Sequence, residues 1–376
     1  MNVKKIIKAY LILYLIVLFL YDFTNSIMAW GEPDDYVLPI ASILNDHNFS
    51  INESDVEYCY KLFPELRDTI SNCYSLSGYM SRDGKGELTW YYPTYAIINI
   101  PFVMILKLMG IKTIYSFPLT NIALTMILLC VINKYLQADD YKKLIAILVF
   151  SINPVILYFP WTSAEAMIYA FLAMAMVFWY NNWHKRAALF LAIAGTLNPT
   201  VLAIGFLLIA EYFIVQIKNV SELVGVTEKV RCIISKMFSF GLCFIPGIIP
   251  MIYFFYNTGY INLTASYSSF TNGNSTTLQR FRSYFIDLNY GIIPYYGLLL
   301  IIALGLLVFA IYNRHLKYIC FIMGFLSVVY SYSIMVHINC GGVGIARYSS
   351  WGTVPLLAAI VFYYNEIFSL DILRRI

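Results

Sequence analysis

Apolar runs about 20 residues long recur along this chain, beginning near positions 6, 91, 113, 144, 163, 187, 236, 292, 316 and 351. This pattern constrains the fold most, because inside a bilayer every backbone N–H and C=O must find its partner within the protein. Helices meet that demand segment by segment. The expectation is an all-α polytopic membrane protein with about ten transmembrane helices. A composition of 60% hydrophobic and 12% charged residues belongs to the same class. The longest polar stretch is about 70 residues, marginal for a core of its own, so residues 1–376 read as a single membrane domain.

Charge then orients the runs. Residues 22–90 hold twelve of the twenty-one carboxylates against Lys61, Arg67, Arg82 and Lys85, a balance of −8 that leaves +12 for the remainder. Eight of the remaining basic residues come as doublets beside apolar runs: Lys4-Lys5, Lys142-Lys143, Lys185-Arg186 and Arg374-Arg375. They read as topology signals and not as a phosphate-tracking stripe, so no nucleic-acid partner is indicated. Lys4, Lys5 and Lys8 place the N-terminus in the cytoplasm and the acidic stretch outside, behind an uncleaved anchor.

The segment Tyr91–Met109 decides everything downstream. If it crosses, Lys134, Lys142, Lys143, Lys185, Arg186, Lys229, Arg231 and Lys236 fall outside; if it lies along the interface and the run 113–133 makes the second crossing, they return to the cytoplasm. The second choice satisfies the charge rule throughout, and Tyr91-Tyr92-Pro93 with Pro101 suits an interfacial segment. Residues 22–112 are then a large first extracytoplasmic loop carrying juxtamembrane helices, and residues 113–376 a transmembrane bundle with a cytoplasmic C-terminus. The run 187–214 has basic residues on both sides and must hold two short helices meeting at Gly195-Thr196-Leu197-Asn198-Pro199. A break at that depth is tolerated only against protein or a water-filled cavity, so it is expected to line one.

This assignment collects the polar residues near span ends on one face: Asp34, Asp35, Glu165, Arg280, Arg282, Asp287, His337 and Arg347. The Asp34–Asp35 pair can act as a general base, bind a cation or be solvated like any loop carboxylates. Arg347 follows the glycine-rich Asn339-Cys340-Gly341-Gly342-Val343-Gly344 and precedes Tyr348; a guanidinium there can hold phosphate oxygens or snorkel to the interface. Glu165 can bind a sugar hydroxyl, meet the Asn198 turn or cap its own helix. His337 has no second histidine at metal spacing and reads as an interface residue. Tyr92 and its aromatic neighbours can stack on sugar rings or form an interfacial belt. Cys59 and Cys73 share the acidic loop, where a disulfide is possible if the compartment is oxidising.

Several of these segments resemble the GT-C superfamily, the integral-membrane glycosyltransferases that use polyprenyl-phosphate sugars. The resemblance runs through Glu32-Pro33-Asp34-Asp35, Tyr91-Tyr92-Pro93-Thr94-Tyr95, Ser151-Ile152-Asn153-Pro154 with Ser163-Ala164-Glu165, Ala194-Gly195-Thr196-Leu197-Asn198-Pro199-Thr200, Phe285 to Pro294, and Gly344-Ile345-Ala346-Arg347-Tyr348. A basic residue often stands in the family where this chain has Asn198. No large soluble domain follows the last span, which makes the chain similar to compact bacterial transferases that decorate O-antigen or other envelope polysaccharides. The resemblance implies an inverting transfer from a polyprenyl-phosphate donor to a glycan or glycolipid acceptor outside the cell membrane. It implies Asp34 or Asp35 as base and Arg347, with Arg280 or Arg282, on the donor phosphate. No cofactor is implied, and a divalent metal is optional. An O-antigen polymerase or ligase, and a lipid-linked glycan flippase or transporter, are the rival readings; a transporter is expected to show inverted repeats and charges near the midplane.

Overall fold

A computed structural model describes residues 3–24, 33–68, 79–82, 84, 86–220, 225–263, 276–334 and 344–367. Seven helical segments among them are long and apolar enough to cross a membrane: Val3–Thr24, Thr113–Tyr135, Asp140–Tyr158, Pro199–Asn219, Val226–Thr258, Ile293–Tyr312 and Leu316–Ser333. The chain is thus an all-α protein of polytopic membrane type, and its described strands are limited to the two-residue pair β1 (Tyr79–Met80) and β2 (Glu87–Leu88).

The first helix, α1 (Val3–Thr24), buries Val3, Ile7, Tyr14, Leu18 and Asp22, one stripe at helical spacing. Its other faces expose Ile12, Leu13, Ile16 and Leu20, as a helix bordering lipid should. The first loop holds α2 (Asp34–Asn45), α3 (Glu53–Leu62) and α4 (Thr94–Leu108). Asn52 and Asp55 start α3 as a reciprocal capping box, with Asn52 Oδ1 accepting the Asp55 N–H at 3.2 Å and Asp55 Oδ2 accepting the Asn52 N–H at 3.1 Å. At 15 residues, α4 spans only about 22 Å, short of the hydrocarbon core. It packs between α2 and α5 (Ser116–Tyr135). The β1–β2 hairpin is fastened at its tip, where the Arg82 N–H donates to Asn257 O at 2.8 Å. The Arg82 guanidinium lies against Gly259, a left-handed cap at φ +88° where a Cβ would collide with it.

Helices α6 (Asp140–Ser151), α7 (Glu165–Tyr180), α8 (His184–Gly195) and α9 (Leu202–Asn219) form the centre. Fourteen of the sixteen residues of α7 are buried, so this helix is apolar on all sides because protein surrounds it on all sides. Ala166, Ala170 and Ala173 on α7, with Ala187, Ala188 and Ala194 on α8, let the two backbones approach closely. The run expected near 236 begins earlier, at Val226, and continues as α10 (Val226–Gly241) into α11 (Ile245–Thr258) through one 3₁₀ turn, Leu242–Phe244. Pro246 sits in the first turn of α11, where its missing N–H costs no hydrogen bond. Beyond it come α12 (Thr277–Ile286), α13 (Ile293–Tyr312), α14 (Leu316–Ser333), the short α15 (Arg347–Gly352) and α16 (Val354–Ile367). Only Tyr296, Ala303, Leu306 and Ala310 of α13 are buried, which marks it as peripheral.

Candidate functional site

Two segments distant in sequence meet at the start of α7. Glu165 is its first residue, and Arg347 opens α15, which packs against α7. Arg347 Nε lies 3.0 Å from Glu165 Oε1, with both side chains about 5% exposed. Gly344, three residues before Arg347, holds φ +84°, with the Tyr295 hydroxyl 2.9 Å from where a Cβ would stand. The turn is then pinned by Tyr158, whose hydroxyl donates to Ile345 O at 2.6 Å, and by the Ala346 N–H, which donates to Tyr290 O at 3.1 Å.

The segments carrying this pair are rich in buried polar atoms. Thr162 Oγ1, Ser163 Oγ and Glu165 Oε2 on one side, with Ser349 Oγ and Trp351 Nε1 on the other, are buried and make no hydrogen bond. Each such atom costs about 1–3 kcal/mol unless something meets it. All five lie on the ion pair's own residues or within four residues of them in sequence. The sequence gives none of these hydroxyls a binding role, although Thr162 and Ser163 lie three and two residues before Glu165 and Ser349 follows Arg347-Tyr348.

From Arg347 an aromatic path leads to the helix break. Its guanidinium lies 5.2 Å from the Tyr348 ring centroid, and Nη2 donates to the Tyr348 hydroxyl at 3.3 Å. Tyr348 stacks on Tyr332 at 4.7 Å and 20°. The Thr200 hydroxyl donates to Asn198 Oδ1 at 2.7 Å and shares a 3.2 Å hydrogen bond with the Tyr332 hydroxyl. Asn198 also caps the 3₁₀ turn Pro199–Val201 by accepting the Thr200 N–H at 3.2 Å. Tyr92, Asn198 and Tyr348 share one cleft, with Trp90, Tyr91 and Tyr332 among its other walls. The α8–α9 break does line a cavity, as the run 187–214 led us to expect.

The acidic pair does not line this cleft, but Asp35 holds one of its walls from behind. Asp34 and Asp35 form the first turn of α2, where unsatisfied helix N–H groups favour negative charge, and both are buried. Asp35 Oδ1 accepts the Trp90 N–H at 2.9 Å. Tyr36 stacks on Tyr91 at 5.9 Å and meets Tyr95 edge-on at 5.4 Å. The start of α2 therefore holds the Trp90–Tyr92 wall in place. Tyr92 packs edge-on against Tyr253 at 5.4 Å, and burial pushes its phenol up from the ordinary range.

Other sequence candidates stand elsewhere. Arg280 is buried on α12, with Nε donating to Ser333 O at 2.7 Å and Nη2 to Ile334 O at 3.4 Å, so it closes the C-terminal end of α14. Arg282 is exposed on the same helix. Asp287 Oδ1 accepts the N–H groups of Asn289 and Tyr290 at 2.8 and 2.9 Å, shaping the turn after α12. None of these three lines the aromatic cleft. His337 lies outside the described residues. Among the described residues no group of three or more His, Cys, Asp and Glu could hold a metal ion. Cys59 is a buried free thiol, and Cys73 lies outside the described residues. Comparison of the chain with protein-family models, curated proteins and solved structures finds no match in any of the three.

Proposed function

We propose that this chain is an integral-membrane glycosyltransferase that moves a sugar from a polyprenyl-phosphate donor to an extracytoplasmic acceptor, a lipid-linked or surface polysaccharide of the O-antigen kind. The observation that carries this reading is the buried Glu165–Arg347 pair, bordered by polar atoms without partners and joined through Tyr348 to an aromatic cleft. Glu165 takes the Nε edge of the guanidinium and so fixes the plane of Arg347. A phosphate beside Arg347 would find hydroxyl donors on Thr162, Ser163 and Ser349, a set that suits an oxyanion with several acceptors. Trp90 and Tyr92 on the cleft wall offer ring surface for a sugar, and Asn198 offers an amide for its hydroxyls.

In this reaction Asp34 or Asp35 takes the proton of the acceptor hydroxyl as its oxygen bonds to C1 of the sugar on the face opposite the phosphate. The bond between C1 and the phosphate oxygen breaks, and its electron pair leaves on the lipid phosphate. Arg347 stabilises the charge gathering there, which lowers the barrier electrostatically. Counting α7, α8 and α16 as short crossings inside the bundle, with α10 and α11 as one, gives about ten crossings. Both termini then lie in the cytoplasm and the cleft opens on the outer side of the cell membrane.

The test is transfer of radiolabelled sugar from a panel of polyprenyl-phosphate hexoses by the purified protein, in membranes holding candidate glycolipid acceptors. Transfer that vanishes in an Asp34→Asn/Asp35→Asn variant is the expected result. A folded protein that transfers nothing from any donor moves the reading to a polymerase, ligase or transporter.

A further inference from the structure

An open groove runs between α3 and the turn joining α4 to α5, on a surface that shares no residue with the aromatic cleft. Tyr58, Lys61, Glu65, Lys107, Ile111 and Lys112 line it. Three of its ten lining residues are cations, Lys61 within the acidic stretch 22–90 and Lys107 and Lys112 beyond it. Lys107 Nζ donates to the Tyr58 hydroxyl at 3.1 Å and stands 5.3 Å from its ring centroid, which holds the ammonium at the groove wall. Lys112 lies 3.9 Å from Glu65, an exposed pair of little net strength. Lys61 makes no hydrogen bond or ion pair with a described residue. The groove therefore keeps two positive charges beyond what its one carboxylate offsets.

Its position relative to the spanning helices gives those charges a role. Tyr115, three residues past Lys112, belongs to the candidate span Thr113–Tyr135 and stacks at 5.0 Å on Phe23, in the last turn of the candidate span α1. Two spans end at this level, so the groove lies where hydrocarbon gives way to headgroups. Beside it Met104, Ile105, Leu108 and Met109 project from α4, with Leu108 84% and Met109 65% exposed. An apolar ridge under a cationic groove matches a molecule with acyl chains below a negative headgroup.

We propose that this groove binds an anionic phospholipid, with the headgroup phosphate among Lys61, Lys107 and Lys112 and the acyl chains along Met104–Met109. The chemistry favours a phospholipid over a lipid-linked sugar. The groove is shallow and open, its one aromatic ring is already engaged by Lys107, and no side-chain amide lines it to read sugar hydroxyls. The proposal does not rest on the glycosyltransferase reading.

Native mass spectrometry of the purified full-length chain, titrated separately with phosphatidylglycerol and phosphatidylcholine, tests it. One phosphatidylglycerol is expected to bind more tightly than phosphatidylcholine. Its affinity is expected to fall about 150-fold in Lys61→Gln/Lys107→Gln/Lys112→Gln, at about 1 kcal/mol per lysine, and to persist in the corresponding triple arginine variant. Equal retention of the two lipids, or undiminished phosphatidylglycerol binding in a folded glutamine variant, overturns the proposal. Displacement of phosphatidylglycerol by equimolar polyprenyl phosphate also overturns it, because the groove would then belong to a donor lipid. Should the glutamine variant fail to fold, titration of the wild-type protein at high salt replaces it, and binding that does not weaken there overturns the electrostatic assignment.

Discussion

Glu211 shares a 2.7 Å hydrogen bond with His184 Nε2 and accepts the Trp179 indole N–H at 3.3 Å, whereas Asp22, fully buried near the end of α1, has no hydrogen bond to either oxygen. The contrast fixes the sign of two substitutions. Glu211→Ala leaves the His184 and Trp179 donors buried without their acceptor and is expected to destabilise by roughly 3 kcal/mol. Asp22→Asn removes only the ionisable character of a group with nothing to pair it and is expected to leave the melting temperature unchanged or higher. Thermal unfolding of the two purified variants checks both. Arg347→Ala is expected to lower sugar transfer about 10²–10³-fold while the folded fraction, followed by size-exclusion, stays measurable. At Asp35 the amide can still accept the Trp90 N–H, so Asp35→Asn is expected to retain more activity than Asp35→Ala, which releases the cleft wall. Glu165 and Arg347 were each legible in the sequence as polar residues at span ends. Their pairing was not, because nothing local to either residue encodes a partner so far along the chain. Thr162, Ser163 and Ser349 were overlooked because hydroxyls beside a helix start read as capping residues until burial shows otherwise.

Helices that touch lipid were the most legible elements. In α1 and α13 an unbroken apolar run of sufficient length dictates the structure, and the described helices follow those runs closely. The short elements were harder, since α8 and α9 are separated by a break whose only sequence signal is Gly195 and Asn198-Pro199, and α10 joins α11 through a turn that carries no proline of its own. Gly344 was legible as a turn residue before α15, but the anchor of Ile345 was not, because Tyr158 lies in an apolar 3₁₀ segment that gives no sign of reaching it. Tyr158→Phe removes that hydrogen bond, leaves a buried carbonyl unmet and is expected to cost about 1–3 kcal/mol. If the turn positions Arg347, the same variant lowers transfer by more than its loss of folded protein explains. Assay per folded molecule separates the two effects.

Across the whole molecule, the charge argument assigns sides that labelling can read. Lys142 is a poor reporter, because it is buried with its ammonium 5.1 Å from the Tyr180 ring centroid. Lys185 and Glu57 are exposed. A cysteine at Glu57 is expected to react with an impermeant maleimide added outside, and one at Lys185 only after the membrane is opened; the reverse pattern overturns the topology. Cys59 is expected to stay unmodified in either case, since it is fully buried and burial pushes its thiol up. The ion pair adds an order of events to synthesis. Glu165 is inserted on the central helix long before Arg347 leaves the ribosome, and until then its carboxylate lacks the countercharge it has in the finished fold. The bundle's innermost helix thus waits on one of its last-made turns, so a chain cut short upstream of Arg347 carries a standing defect at its centre that membrane quality control can detect.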